Sequence, residues 1–163
     1  MLLDLRKIIE MPGGSVPFSV ELDPQDLNFA SVKEHLSCPK AEGRVFNEAG
    51  VLHMEGECRA EMLCSCDRCG KDFTMEKLTQ LRATIVEEDT GDDPELFLLD
   101  GDGVDIEDMV RTLFILDMET KFLCREDCKG LCSTCGKDLN LGPCDCGKKI
   151  DPRFAVLEQL LDK

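Results

Sequence analysis

Between residues 124 and 147 the chain reads CREDCKGLCSTCGKDLNLGPCDCG, a run with six cysteines. Three disulfides would use all six. A tetrahedral metal instead takes four sulfurs, and two metals take eight. The two that are missing stand upstream, where CDRCGKDF (66–73) is echoed by CSTCGKDL (132–139). Each copy is a C-x-x-C-G knuckle. Two intervening residues let both sulfurs turn toward one ion, and the glycine after the second permits a tight backbone path. A lone C-x-x-C can be a redox pair, but neither copy follows the strand-to-helix pattern of a thioredoxin unit.

Eight ligands divide in two ways. The compact division places Cys132, Cys135, Cys144 and Cys146 in one site, C-x2-C-x8-C-x-C, and joins Cys66 and Cys69 to Cys124 and Cys128 in the other. The rival puts both knuckles on one ion, as in a zinc ribbon, and leaves Cys124, Cys128, Cys144 and Cys146. The first is favoured because a local group has less chain entropy to overcome on closing. All-thiolate tetrahedra suit zinc before iron, and four protein ligands leave no position for a catalytic water. Two structural four-cysteine Zn2+ sites are therefore expected.

The remaining thiols are set aside by their surroundings. In VLHMEGECRAEMLCSC (51–66) the even positions are apolar or small and the odd ones from His53 to Glu61 are polar or charged, the alternation of a strand with one buried face. Cys58 and Cys64 fall on the buried face, where a free cysteine acts as a small hydrophobe. Cys38 sits in a loop-like SCPK, and His35 and His53 stand singly. The total of eleven cysteines is odd, which a fully paired secreted scaffold disfavours. The opening MLLDLRKIIEMPGG has neither the apolar stretch nor the cleavage site of a signal peptide, and no apolar run approaches the roughly 20 residues of a membrane helix. A reducing, cytoplasmic setting is expected, where clustered thiols serve metals.

The same alternation organises the rest of the chain. Residues 43–46 should pair with the long strand as a hairpin, residues 73–86 should return beside it with a bulge near Lys77 and Leu78, and residues 15–22 supply a further strand. Residues 87–108 hold eleven acidic side chains and no basic one, so 87–103 reads as an acidic loop with a short apolar return at 96–99. DGDG fails as a calcium loop, because counting from Asp100 places Asp105 sixth and Arg111 twelfth. Asp105 then caps a packing helix over 105–119, with Ile106, Met109, Val110, Leu113 and Leu116 as its apolar stripe. A last short helix is expected from Asp151 and Pro152, burying Phe154, Leu157, Leu160 and Leu161. The fold class is thus α+β: an antiparallel β-meander or partly open barrel over 1–121, packed by one long helix, then a small zinc module and terminal helix over 122–163.

Net charge is −15, carried by residues 1–120 with 11 basic and 27 acidic side chains, which disfavours binding nucleic acid through a general field. Residues 121–163 are nearly balanced, with 8 basic and 7 acidic, and Lys148, Lys149 and Arg153 form a small cluster there that a partner could contact. No P-loop, nucleotide-binding glycine pattern, nucleophile elbow or H-E-x-x-H occurs. The acidic loop could supply carboxylates to a nuclease, but no ordered element pairs two of them. A zinc-thiolate redox switch using Cys64, Cys66 and Cys69, or Cys135, Cys144 and Cys146, is the alternative function.

CDRCGKDF after a long alternating strand, then an acidic loop, VDIEDMVRTLFILDM, the cysteine run and DPRFAVLEQLL together resemble the YceD family, the large ribosomal RNA subunit accumulation proteins. The resemblance covers about residues 15–162. It implies a non-enzymatic factor in 23S rRNA accumulation and large-subunit maturation, encoded beside a small large-subunit protein. Partners so implied are a ribosomal protein, an rRNA-processing factor or a pre-ribosomal particle, with no small-molecule substrate and no membrane. Direct RNA contact stays open, and the acidic surface leans toward a protein partner.

Overall fold

The computed structural model describes residues 1–88 and 96–146. In chain order it forms β1 (Leu2–Asp4), α1 (Arg6–Ile9), β2 (Ser15–Glu21), β3 (Val32–His35), β4 (Lys40–Glu48), β5 (Val51–Ser65), β6 (Asp72–Val86), β7 (Leu96–Leu98), β8 (Gly103–Asp105) and α2 (Ile106–Leu116). This is α+β with mostly strands. The main sheet runs β2-β4-β5-β6-β7, with β3 beside the far end of β5; β1 and β8 form a second, two-stranded sheet.

β5 and β6 are the spine, each 15 residues long and paired without interruption from Leu52↔Ile85 to Ser65↔Asp72. The bulge expected at Lys77 and Leu78 is absent. Their polarity is inverted instead of their register: Lys77 lies on the inner face and Leu78 on the outer one, half exposed. Lys77 is tolerated inside because its ammonium reaches out to the end of α2. It donates to the Asp117 carbonyl at 2.6 Å and pairs with the carboxylates of Asp117 and Glu119 at 2.8 and 3.1 Å. A cation at a helix C-terminus meets both the free carbonyls and the negative end of the dipole. A register irregularity does occur in β3, between Val32 and Glu34.

α2 lies on the inner face of the sheet. Asp105 caps it by accepting from the amides of Glu107 and Asp108 at 3.1 and 3.2 Å. The helix is shorter than the span 105–119, ending at Leu116, and it buries Ile106, Met109, Val110, Leu113 and Phe114. Leu116 is exposed, since Phe114, four residues after Val110, fills the last core position. Each buried side chain of this size contributes about 1.5–3 kcal/mol. The stretch expected to be an acidic loop is also partly ordered: β7 runs parallel to β6 at Thr84–Val86, and β8 pairs with β1.

Two further elements of the core come from the N-terminal residues. Leu5 and Ile8 around α1 are fully buried, and Asn47 holds that helix by donating to the carbonyls of Ile8 and Ile9, both at 2.8 Å. The helix expected from Asp151, with Phe154, Leu157, Leu160 and Leu161, lies outside the described residues. Among the described residues no helix is long and apolar enough to cross a membrane.

Candidate metal centres

The register that builds the core also delivers the first sulfurs. β5 ends at Ser65 and β6 begins at Asp72, so the residues between them form the turn of a long hairpin. Cys66 donates its amide to the Lys71 carbonyl and Gly70 donates to the Cys66 carbonyl, both at 2.8 Å. Both sulfurs are thereby held at the tip of the spine. The echo at 132–139 repeats these bonds: Cys132 donates to Lys137 and Gly136 to Cys132, both at 2.9 Å. Gly70 and Gly136 have φ of 70° and 72°, the left-handed region that a side chain disfavours. The similarity of the two sequences is a similarity of two turns.

Eight sulfurs gather into two groups of four. Cys66, Cys69, Cys124 and Cys128 form one, and Cys132, Cys135, Cys144 and Cys146 the other; within each, all sulfurs lie within 4.8 Å of one another. In the first, Cys66 and Cys128 are 3.9 Å apart and Cys69 and Cys124 3.7 Å apart. A tetrahedron with metal–sulfur bonds of about 2.3 Å has edges of about 3.8 Å. The knuckles do not share a group, so the ribbon-like pairing is not the arrangement of this fold.

In both groups thiols with opposite titration tendencies stand side by side. Burial opposes charge on Cys66, yet the amides of Cys124, Cys69 and Arg68 aim at its sulfur and bring the thiol down to about 6. The amides of Cys135 and Thr134 do the same for Cys132, also to about 6. Cys124 is pushed up to about 12 by burial and by its neighbouring sulfurs, and Cys146 to about 12, chiefly by Cys135. Four thiolates this close repel one another, so without a cation some stay protonated. A divalent metal relieves that repulsion and is well matched to this donor set.

The groups are joined by a short bridge. Asn140 accepts from the Lys129 amide at 2.8 Å and from Arg125 at 2.7 Å, and its own amide donates to the Cys128 sulfur at 3.5 Å. With the Gly130 amide it lowers the Cys128 thiol against the effect of burial. Arg68 donates to the Cys128 carbonyl at 2.8 Å, and its own carbonyl accepts from Leu131 at 3.1 Å. Gly130, with φ 72°, fits only because it lacks a side chain: a Cβ there would meet the Arg68 carbonyl at 2.8 Å. Asp67 fastens the hairpin tip to the chain after α2, accepting from the Phe122 amide at 2.7 Å and from the Ser31 hydroxyl. Asp67, Arg68 and Asn140 carry no motif. Only their neighbourhood to the knuckles could have marked them.

Cys58 and Cys64 are fully buried away from either group, and burial pushes both thiols up, Cys58 to about 11. That setting gives Cys64 little of the thiolate character a redox switch needs. Cys38 is exposed and joins neither group. His35 contacts the Leu27 carbonyl, and His53 the Thr84 hydroxyl. Lys148, Lys149 and Arg153 lie outside the described residues.

Residues 54–161 match the family described as Large ribosomal RNA subunit accumulation protein YceD. Uncharacterized proteins of Mycobacterium bovis and Mycobacterium tuberculosis are each 30% identical over 117 residues, 69% of this chain and 56% of theirs. The Large ribosomal RNA subunit accumulation protein YCED homolog 1, chloroplastic, of Arabidopsis thaliana is 25% identical over 137 residues, 64% of this chain and 42% of the plant protein. The chain thus spans about half the length of the curated relatives it matches. No solved structure matches it.

Proposed function

Because the chain belongs to the YceD family of large ribosomal RNA subunit accumulation proteins, we propose that it supports accumulation of 23S rRNA during large-subunit maturation in the cytoplasm. The observation that carries this reading is the extent of the family match, from near the start of β5 through both cysteine groups. We assign the role to binding and not to catalysis, since all eight clustered thiols are needed to close two four-cysteine sites. Zinc is the metal we expect in both, held by Cys66, Cys69, Cys124 and Cys128 and by Cys132, Cys135, Cys144 and Cys146. Bound there, it would crosslink thiolates with no open position for water. The sites then serve to hold a binding surface in shape.

The partner we favour is a protein, a ribosomal protein or a processing factor acting on the pre-ribosome. A net charge of −15 repels RNA phosphates and attracts the basic proteins that accompany them. The test is genetic. Deleting the gene should lower 23S relative to 16S rRNA, and restoring the wild-type chain should recover the ratio. Cys69→Ser should fail to restore it. An unchanged ratio in the deletion strain would overturn the proposal.

A further inference from the structure

Among the described residues β6 is covered along its whole length on one side only. β5 pairs with its whole length, but on the other side β7 reaches only Thr84–Val86. Residues 72–83 therefore present an edge about 40 Å long with no backbone partner among the described residues. The bond from Cys66 to Lys71 fixes the phase of the ladder, so odd residues of β6 bond to β5 and even ones turn their amides and carbonyls outward. Those even residues, Asp72, Thr74, Glu76, Leu78, Gln80 and Arg82, are all exposed. The opposite edge of the sheet is treated differently. In β2 the bonds of Leu22 to Pro39 and Asn47 to Gly14 put the odd residues outward, and Pro17, which has no amide, stands in the middle. Proline there blocks strand addition. No proline interrupts β6.

The outer face beside this edge has an unbalanced charge. Glu61 and Glu76 stand directly opposite each other across β5 and β6, and neither makes an ion pair among the described residues. Like charges in that position destabilise a sheet. They line a shallow groove together with half-exposed Leu78 and with Arg59, whose guanidinium is already paired with Glu57 at 2.6 Å. Resting on the reading of a protein partner given above, we propose that the β6 edge is a docking site for an extended, basic protein segment that adds as a further strand. Its backbone pairs with Thr74, Glu76, Leu78 and Gln80, a Lys or Arg stands beside Glu76 on the side away from Glu61 and reaches toward both carboxylates, and an apolar side chain covers Leu78. A second copy of the chain is a poor occupant: it would bring further carboxylates to the same pair at a net charge of −15.

The experiment uses the full zinc-loaded chain and two synthetic ten-residue peptides, one alternating Val and Lys, the other Val and Glu. Binding is followed by NMR titration, and by hydrogen exchange at the amides of Thr74, Glu76, Leu78 and Gln80. The lysine peptide should bind, slow exchange at these amides, and weaken as salt is raised; the glutamate peptide should not bind. Glu61→Gln combined with Glu76→Gln should weaken binding at least tenfold while thermal stability holds or rises. Gln80→Pro, which removes an outward amide and leaves the β5 ladder intact, should weaken it as much. Four results would overturn the proposal: no binding of the lysine peptide, equal binding of both peptides, binding that neither variant changes, or edge amides already protected before peptide is added. A concentration-dependent dimer abolished by Gln80→Pro would assign the edge to a second copy instead. A normal 23S ratio after gene deletion would remove the biological reading without altering these peptide results, so the two failures are separable.

Discussion

The two cysteine groups share a turn, a ligand set and a size, yet they stand in opposite relations to the fold. Three of the four cysteines of the first group are buried, packed with Phe73 and Leu123, and Cys66 and Cys128 are 62 residues apart. The second group has no buried member, and Cys132 and Cys146 are only 14 residues apart. Closing the longer loop costs about 1.3 kcal/mol more chain entropy, from the logarithmic dependence on length. A crosslink there removes correspondingly more freedom from the unfolded chain. With a metal bound, the first group would tie the tip of the β5–β6 hairpin to the chain leaving α2, whereas the second would tie a loop to itself. Equal chemistry, placed at different sequence separations, would then give one centre that holds the fold together and one that shapes a local module.

Cys69→Ser should break this comparison most severely. It removes a ligand from the buried group and leaves three sulfurs without their counter-ion, so a loss above about 4 kcal/mol is expected. For a chain of this length the midpoint should fall by about 10 °C or more in a thermal melt. Gly130→Ala should come next. It combines the left-handed φ with a clash against the Arg68 backbone, and a cost of about 2–3 kcal/mol is expected. Gly136→Ala has the same φ but open space around the Cβ, so about 1 kcal/mol should suffice there. Equal melting points for the two glycine variants would show that the contact at Arg68 does not carry the bridge between groups.

The polarity pattern was legible where burial alone decided it. The alternation across 52–64, the cap at Asp105 and the partition of eleven cysteines into eight clustered and three apart all follow from local composition. What escaped depended on distant partners. Lys77 resembles a break in the strand until the end of α2 is placed beside it. Leu5 and Ile8 are separated by charged neighbours that conceal a four-residue helix, and the place of α1 is set by Asn47. β3 and β7 owe their existence to the edges they meet, β5 and β6. The grouping of sulfurs was readable as a preference for local closure, but the bridge through Asn140 was not, since an asparagine in a loop has many uses.

Asn140→Ala sharpens the comparison further. It strips a hydrogen bond from the Cys128 sulfur and leaves the Lys129 amide without its acceptor, so about 1–3 kcal/mol should be lost. Melting should then remain one transition, shifted down by a few degrees. Cys135→Ser should have the smallest global effect of the set, under about 1 kcal/mol, because its group has no buried member and closes only a 14-residue loop, so its loss opens that loop and not the sheet. Its signature is local: amides between 132 and 146 should exchange rapidly while those of β5 and β6 stay protected. Equal global destabilisation by Cys69→Ser and Cys135→Ser would remove the proposed division between a fold-holding and a local centre.

Eight thiols disposed in this way should make two closed metal sites. Metal counting by elemental analysis and native mass spectrometry, on protein purified without added metal, tests it most directly. Close to two zinc ions per chain are expected, with one remaining in Cys135→Ser. A wild-type value of one, or metal-free protein with the cysteines joined as disulfides, would contradict it.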